Sequence, residues 1–296
     1  MAQWRTMSMR FPASASARTR ALVALHVAVL LFGFAGLFGK WLALPAVTIV
    51  FGRSAVAAVA LALLLPLAGD GAARGRLEWK LAASGVLLAL HWVAFFRAIQ
   101  TASVAVGLLG FASFPLFVLL LEALLRQRPL RGREWVTAAL VSGGLLLVAP
   151  EWRWENRVIQ GLLWGIVSGL TFALLALANR TLATRHAAGA IALWQTACAA
   201  ICLLPLVALD PVLPDAHALL LLLVLGVVCT ALAHTLFVRS LRALSAHTAS
   251  VVTALEPVYG IALAFLLLGE MPSLRTLCGA ALIIGAAIYA TGSRSP

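Results

Sequence analysis

Charge is what this sequence has least of. Lysine, arginine, aspartate and glutamate make up 11% of its 296 residues, about half of what a water-soluble surface of this size carries. Acids are scarcest, ten in all, and Asp70, Asp210 and Asp215 stand isolated between apolar runs. That argues against the paired-acid metal and diphosphate sites of intramembrane lipid-modifying enzymes. No Ser/His/Asp set and no His/Cys metal spacing is present, so neither an enzyme nor a metal or cofactor site is expected. Of four cysteines, Cys198 and Cys202 share a helix face, but no His or acid accompanies them on that run, which reads as packing. Long polar inserts, linkers and low-complexity tracts are missing too. No nucleic-acid-reading module is present to receive the net charge of +12.

What fills the sequence instead is hydrocarbon, 63% of residues, which makes the bilayer the expected solvent. Windows long enough to span it fall near 21–39, 46–68, 79–98, 102–122, 133–149, 158–180, 187–209, 218–239, 246–268 and 273–291. The fold class that follows is an all-α membrane protein of ten transmembrane helices. A tail over 1–20 precedes them. Its small-residue run Ala13-Ser14-Ala15 lies before the apolar stretch and not after it, so the first helix is expected to be retained. With that tail in the cytoplasm, 16 lysines and arginines fall in cytoplasmic segments and 5 in outer loops, with Arg53 inside a helix. The positive-inside rule thus puts both ends, including 292–296, in the cytoplasm of a bacterial inner membrane. Membrane lipid is one expected partner and a small-molecule substrate the other.

Sliding the chain by 142 residues exposes a repeat. Phe95 falls on Phe237, Arg97 on Arg239, Pro115 on Pro257, Arg133 on Arg275 and Gly143 on Gly285. Five helices is an odd number, so two such units in series, over 21–149 and 158–291 with an outer linker at 150–157, must lie upside down to one another. Inverted repeats are a common plan of secondary transporters, with a substrate site near the midplane.

Charged and polar residues inside the apolar runs are the candidate site. A charge at a helix centre costs about 2.5–3.5 kcal/mol on insertion scales, so it persists where a cavity, partner or function offsets the cost. Glu256 lies about ten residues into the ninth helix, before Pro257, with Thr253 and Tyr259 on the same broad face. It reads either as a substrate-amine or proton site, or as a protonated group bonded to freed carbonyls. Arg53 in the second helix has a planar fork suited to a carboxylate, or else ties neighbouring carbonyls. His91 and Trp92 sit mid-helix with Phe95 and Phe96, a cavity-lining pattern. His234 poses the same question with Thr230 one turn away. Trp164 lies among Gly161, Gly165 and Gly169, with the glycines expected to pack behind an indole facing the cavity. Gln195 beside Trp194 is a weaker polar candidate. Glu122 is expected to pair with Arg126 one turn on. Pro115 and Pro257, in register in the repeat, are expected to kink their helices and act as paired hinges.

In this order and spacing the residues resemble the drug/metabolite transporter superfamily, specifically EamA-like bacterial permeases. The resemblance rests on the five-plus-five plan, Phe51-Gly52-Arg53, Phe95-Phe96-Arg97-Ala98, Phe114-Pro115-Leu116-Phe117, and Leu255-Glu256-Pro257 leading to Leu268-Gly269-Glu270. Arg128 stands where the second repeat has Glu270, a departure that removes this position from any shared chemistry. The resemblance implies a central cavity and the export or uptake of amino acids and other small metabolites by a monomer or homodimer, with protons as a candidate coupling ion. A quaternary-ammonium efflux pump is the alternative, with Glu256 as its deep carboxylate; a lipid-modifying enzyme is a more distant one.

Overall fold

The computed structural model describes residues 15–67, 77–125, 129–148, 153, 155–244, 249 and 252–291. The loops expected at 68–76, 126–128 and 149–152, Trp154, most of 245–251 and both tails lie outside the described residues, and with them Asp70, Arg126, Arg128 and the outer linker's Trp152. All regular structure among the described residues is helical. A backbone in hydrocarbon has to satisfy its own N–H and C=O groups, which an apolar run does by coiling on itself.

The helices are α1 (Ala15–Trp41), α2 (Ala46–Leu67), α3 (Trp79–Thr101), α4 (Val104–Phe111), α5 (Phe114–Leu125), α6 (Gly132–Val148), α7 (Arg157–Leu182), α8 (Ala188–Leu209), α9 (Ala216–Gly226), a π-helical turn (Val227–Leu232), α10 (Ala233–Ser240), α11 (Glu256–Leu268) and α12 (Leu274–Thr291). Seven spans among the described residues are long and apolar enough to cross a bilayer: α1, α2, α3, α4–α5, α7, α8 and α9–α10. Two shorter apolar helices follow, Glu256–Leu268 and Leu274–Ala286. The first residues of the span expected at 246–268 lie outside the described ones.

Polar residues start helices where the pattern needs them. Ser103 Oγ accepts from Val106 N, Asn156 Oδ1 from Val158 N and Asp215 Oδ1 from Ala218 N. Gly269 closes α11 at φ +67°, a left-handed position that favours glycine. The outer surface is apolar, with Leu124 and Leu266 more than 70% exposed, as a lipid-facing surface should be. The chain is a multi-pass membrane protein.

Small residues let the helices approach. A methyl on Gly165 of α7 would meet Gly110 Cα of α4 at 2.8 Å, and one on Gly33 of α1 would meet Gly260 N of α11 at 2.9 Å. The central core is drawn from α1, α2, α3, α4, α7, α8 and α10, with contributions from Phe114 of α5, Leu222 and Leu225 of α9 and Ala264 of α11, while α6 and α12 pair with one another beside α4.

Polar contacts gather at two ends of the bundle. At one, Lys40 Nζ donates to Ala102 O, Arg157 Nε to Thr101 O, and Glu270 Oε2 accepts from Val104 N at the start of α4. At the other, Arg180 at the end of α7 pairs with Glu122 of α5 at 3.2 Å, and Arg242 Nη2 donates to His186 O. Arg133 at the start of α6 donates to Tyr289 O near the end of α12 and lies over the Tyr289 ring. The Glu122 pair therefore crosses between helices; Arg126, its expected partner, lies outside the described residues.

Candidate functional site

Three irregularities meet at the centre of the bundle. The fourth span breaks at Ala112–Ser113, where Ser113 N and Oγ both donate to Gly110 O. The chain turns at Ala254–Leu255 before α11. The α9–α10 span winds through a π-helical turn, in which Thr230 Oγ1 donates to Leu225 O at 2.7 Å. Pro115 and Pro257 each occupy the second residue of a new helix, α5 and α11. Both thus start helices instead of bending continuous ones, because a proline in the first turn costs no hydrogen bond.

The π-helical turn serves Arg53. The Arg53 Nε donates to Thr230 Oγ1 at 2.9 Å and its Nη2 to Cys229 O at 3.4 Å. Its guanidinium lies 4.1 Å from the Trp92 ring centroid and 5.4 Å from that of Phe96. Arg53 is 2% exposed, and planar stacking with directed bonds is what makes a guanidinium tolerable there. Among the described residues these bonds engage Nε and Nη2 and none engages Nη1.

Around that guanidinium lies a cavity of about 30 Å³, the size of one water, lined by Phe32, Ala35, Arg53, Leu88, His91, Trp92, Phe95, Phe111, Phe172, His234 and Glu256. His91 Nδ1 is bonded to Ser168 O at 3.0 Å and lies 2.9 Å from Ser168 Oγ. His234 Nε2 is bonded to Gln195 Oε1 at 2.8 Å. Gln195 Nε2 in turn donates to Ser84 Oγ and Asn179 Oδ1. Among the described residues, no hydrogen bond engages the Glu256 carboxylate or the second ring nitrogen of either histidine, although all three side chains are buried.

Phe172 lines this cavity and also a larger one of about 620 Å³. The larger vestibule is walled by Phe114, Val118, Phe237, Leu241, Ala249 and Thr253, among others, and reaches Glu122, Arg180 and Arg242. Phe111, Phe114, Phe172 and Phe237 form a contiguous set between the two spaces, with neighbouring ring centroids 5.2–5.9 Å apart.

The structure thus brings Arg53, His91, Trp92, His234 and Glu256 to one cavity. It holds Gln195 one step back, fully buried behind His234. Two other residues depart from expectation. Trp164 is 39% exposed and apart from the cavity; its glycine row does pack, against α3 and α4, but the indole faces outward. Tyr259 lies half-buried off the cavity, with its hydroxyl 3.3 Å from His26 Nδ1 on α1, because the turn before α11 separates its face from that of Thr253. Thr230 serves Arg53, not His234. Sequence reasoning missed the phenylalanine partition and the π-helical turn; the latter has no proline or internal glycine to announce it.

A buried polar cluster inside a multi-pass helical bundle, with an open vestibule beside it, is the architecture of a membrane transporter. The sequence profile of the EamA-like transporter family matches residues 19–149 and again 159–292, and the chain belongs to that family, within the drug/metabolite transporter superfamily. It is similar to the pseudopaline exporter CntI of Pseudomonas aeruginosa, 31% identical over 247 residues covering 83% of this chain and 86% of the relative. It is also similar to the transporter YxxF of Bacillus subtilis, 22% identical over 91% of this chain and 89% of the relative. A solved crystal structure shares the fold with a TM-score of 0.69 at 20% identity, covering 93% of this chain and 98% of that one.

Proposed function

We propose that the protein is a secondary transporter that moves small amine-bearing metabolites, amino acids first, out of the cytoplasm by alternating access. The observation that carries this reading is a cavity lined by both Arg53 and Glu256 together with aromatic side chains, near two helix starts and a π-helical turn. Arg53 would take a substrate carboxylate through Nη1, and Glu256 an ammonium group. Trp92, Phe95, Phe111 and Phe172 would supply apolar and π faces to the remainder. A 30 Å³ space admits no amino acid, so loading requires the phenylalanine partition to move and the cavity to widen. Similarity to an exporter named for a small metabolite supports this class of cargo.

The five-plus-five plan, over 21–149 and 158–291, is part of the same proposal. The repeat of 142 residues and the double match to one family profile support duplication. Polar contacts that gather the end of α7 with the end of α5, and the start of α6 with the end of α12, support alternating helix directions. The vestibule opens at the Arg180 and Arg242 end, which the positive-inside rule makes cytoplasmic in a bacterial inner membrane. Pro115 and Pro257 would act as matched hinges. Protons are the proposed coupling ion, and a monomer or homodimer the proposed working unit.

The test is reconstitution in liposomes with an amino-acid panel, with and without a pH gradient. Directional flux of at least one amino acid is expected, faster with the gradient. No flux of any member overturns the reading, and flux of quaternary ammonium compounds alone replaces it with a drug pump.

A further inference from the structure

Gln195 lies outside the cavity, yet the hydrogen bonds around it dictate how His234 meets a ligand. Ser84 Oγ has one hydrogen and donates it to Leu81 O at 2.8 Å. Toward Gln195, also at 2.8 Å, Ser84 Oγ can then only accept, so the amide nitrogen of Gln195 must be the group that faces it. The second hydrogen of that nitrogen goes to Asn179 Oδ1 at 2.6 Å. The amide oxygen is thereby turned to His234 Nε2 at 2.8 Å. A carbonyl oxygen only accepts, so Nε2 carries the proton, and the neutral ring leaves a bare lone pair on Nδ1.

His91 is fixed in the opposite sense. Its Nδ1 lies 3.0 Å from Ser168 O, which only accepts, and 2.9 Å from Ser168 Oγ, which can accept the same proton, so the arrangement that satisfies both contacts has Nδ1 protonated and Nε2 bare. Both rings line the cavity, as does the Glu256 carboxylate. The cavity beside Arg53 is therefore walled in part by acceptors from these three residues.

We infer that Gln195 is a positioning residue that holds His234 with its bare Nδ1 toward the cavity, and that the resulting acceptor wall selects ligands bearing a free, protonated amine over the same ligands acylated on nitrogen. An ammonium group brings three N–H donors to this wall; an acylated nitrogen brings one and adds a carbonyl acceptor that finds no donor there. The inference rests on the transporter reading for its ligand class, whereas the ring geometry stands independently of it.

The experiment uses the full chain in lipid nanodiscs with 15N-labelled histidine. The His234 signal is assigned by its loss in His234→Asn. The wild type is expected to show the proton of His234 on Nε2 and that of His91 on Nδ1. Gln195→Leu removes the fixed oxygen, and Ser84→Ala releases the amide to turn. Each is expected to give a mixture of tautomers at His234 while the His91 signal, held by α7, stays unchanged and reports an intact fold. In parallel, binding of phenylalanine and N-acetylphenylalanine is measured on the same samples. The preference for the free amine is expected to fall about tenfold in Gln195→Leu. A His234 proton on Nδ1 in the wild type overturns the positioning role, as does an unchanged tautomer in both variants. A preference that survives loss of the tautomer overturns the selectivity. If the wild type binds neither probe, the amino-acid reading above fails, and the ring-nitrogen assignment alone decides the positioning of His234.

Discussion

Trp92 and His234 occupy corresponding positions in the two halves of the sequence, and in the structure their rings meet edge to face at 6.2 Å. The repeat thus brings equivalent positions together at the centre, where Trp92 covers the guanidinium of Arg53 and His234 faces the same cavity. The two halves hold different chemistry at this shared point, a π face from one and a ring nitrogen from the other.

Arg53→Lys tests the stacked fork. A lysine keeps the charge but loses the flat face over Trp92 and the paired bonds to Thr230 and Cys229 O. Charge-assisted hydrogen bonds are worth about 1.5–3 kcal/mol, so thermal stability in detergent should fall and flux should drop at least about tenfold. Unchanged stability together with unchanged flux would show that the planar group is dispensable.

Glu256→Gln removes the one acid among the described residues that line the central cavity. The expected outcome is loss of uphill transport driven by a pH gradient, with exchange of substrate across the membrane retained in part. Counterflow and gradient-driven uptake, measured on the same liposomes, separate the two. Full gradient-driven accumulation by this variant would assign coupling elsewhere.

Much of this site was legible in the sequence, and the part that was not has a physical cause. Arg53, His91, Trp92, His234 and Glu256 are costly or bulky in hydrocarbon, and that cost draws attention to each without any knowledge of the fold. Trp164 misled because a tryptophan among glycines is polar enough for a cavity and apolar enough for lipid; only the packing of α7 on α3 and α4 decides which way the indole turns. Phe172 carried no signal, since one phenylalanine in an apolar run resembles any other. Gln195 was visible as a polar residue, but its role depends on Ser84, over a hundred positions earlier, which nothing in the local sequence connects to it.

Phe172→Ala should breach the partition between the cavity and the vestibule. Its ring touches Phe111, Phe114, Phe237 and His91, so no single neighbour fills the gap. Downhill flux should rise while accumulation against a gradient falls, as in a leaking carrier. A variant that accumulates substrate as well as the wild type would remove the partition from the gating path.

The closed side of the bundle follows from its open side. The vestibule residues Val118, Leu241 and Ala249 correspond in the repeat to Gly260, Ile99 and Gly107. Those three are packed shut at the Lys40 end: Gly260 lies against Gly33 of α1, and a methyl on Gly107 would meet Ile99 Cγ1 at 2.7 Å. An outward-open state would have to part these contacts. Gly33→Ala places a methyl 2.9 Å from Gly260 N and 3.1 Å from Glu256 O, both backbone atoms that cannot swing aside, so it should wedge α1 from α11. Ala264, 1% exposed and one helical turn beyond Gly260, is the reporter. A cysteine placed there in a background free of native cysteines should react slowly with a membrane-impermeant maleimide from outside the cell. Adding Gly33→Ala should speed that reaction severalfold. Labelling as slow as before, in a protein that still inserts, would place the outer opening on a different pair of helices.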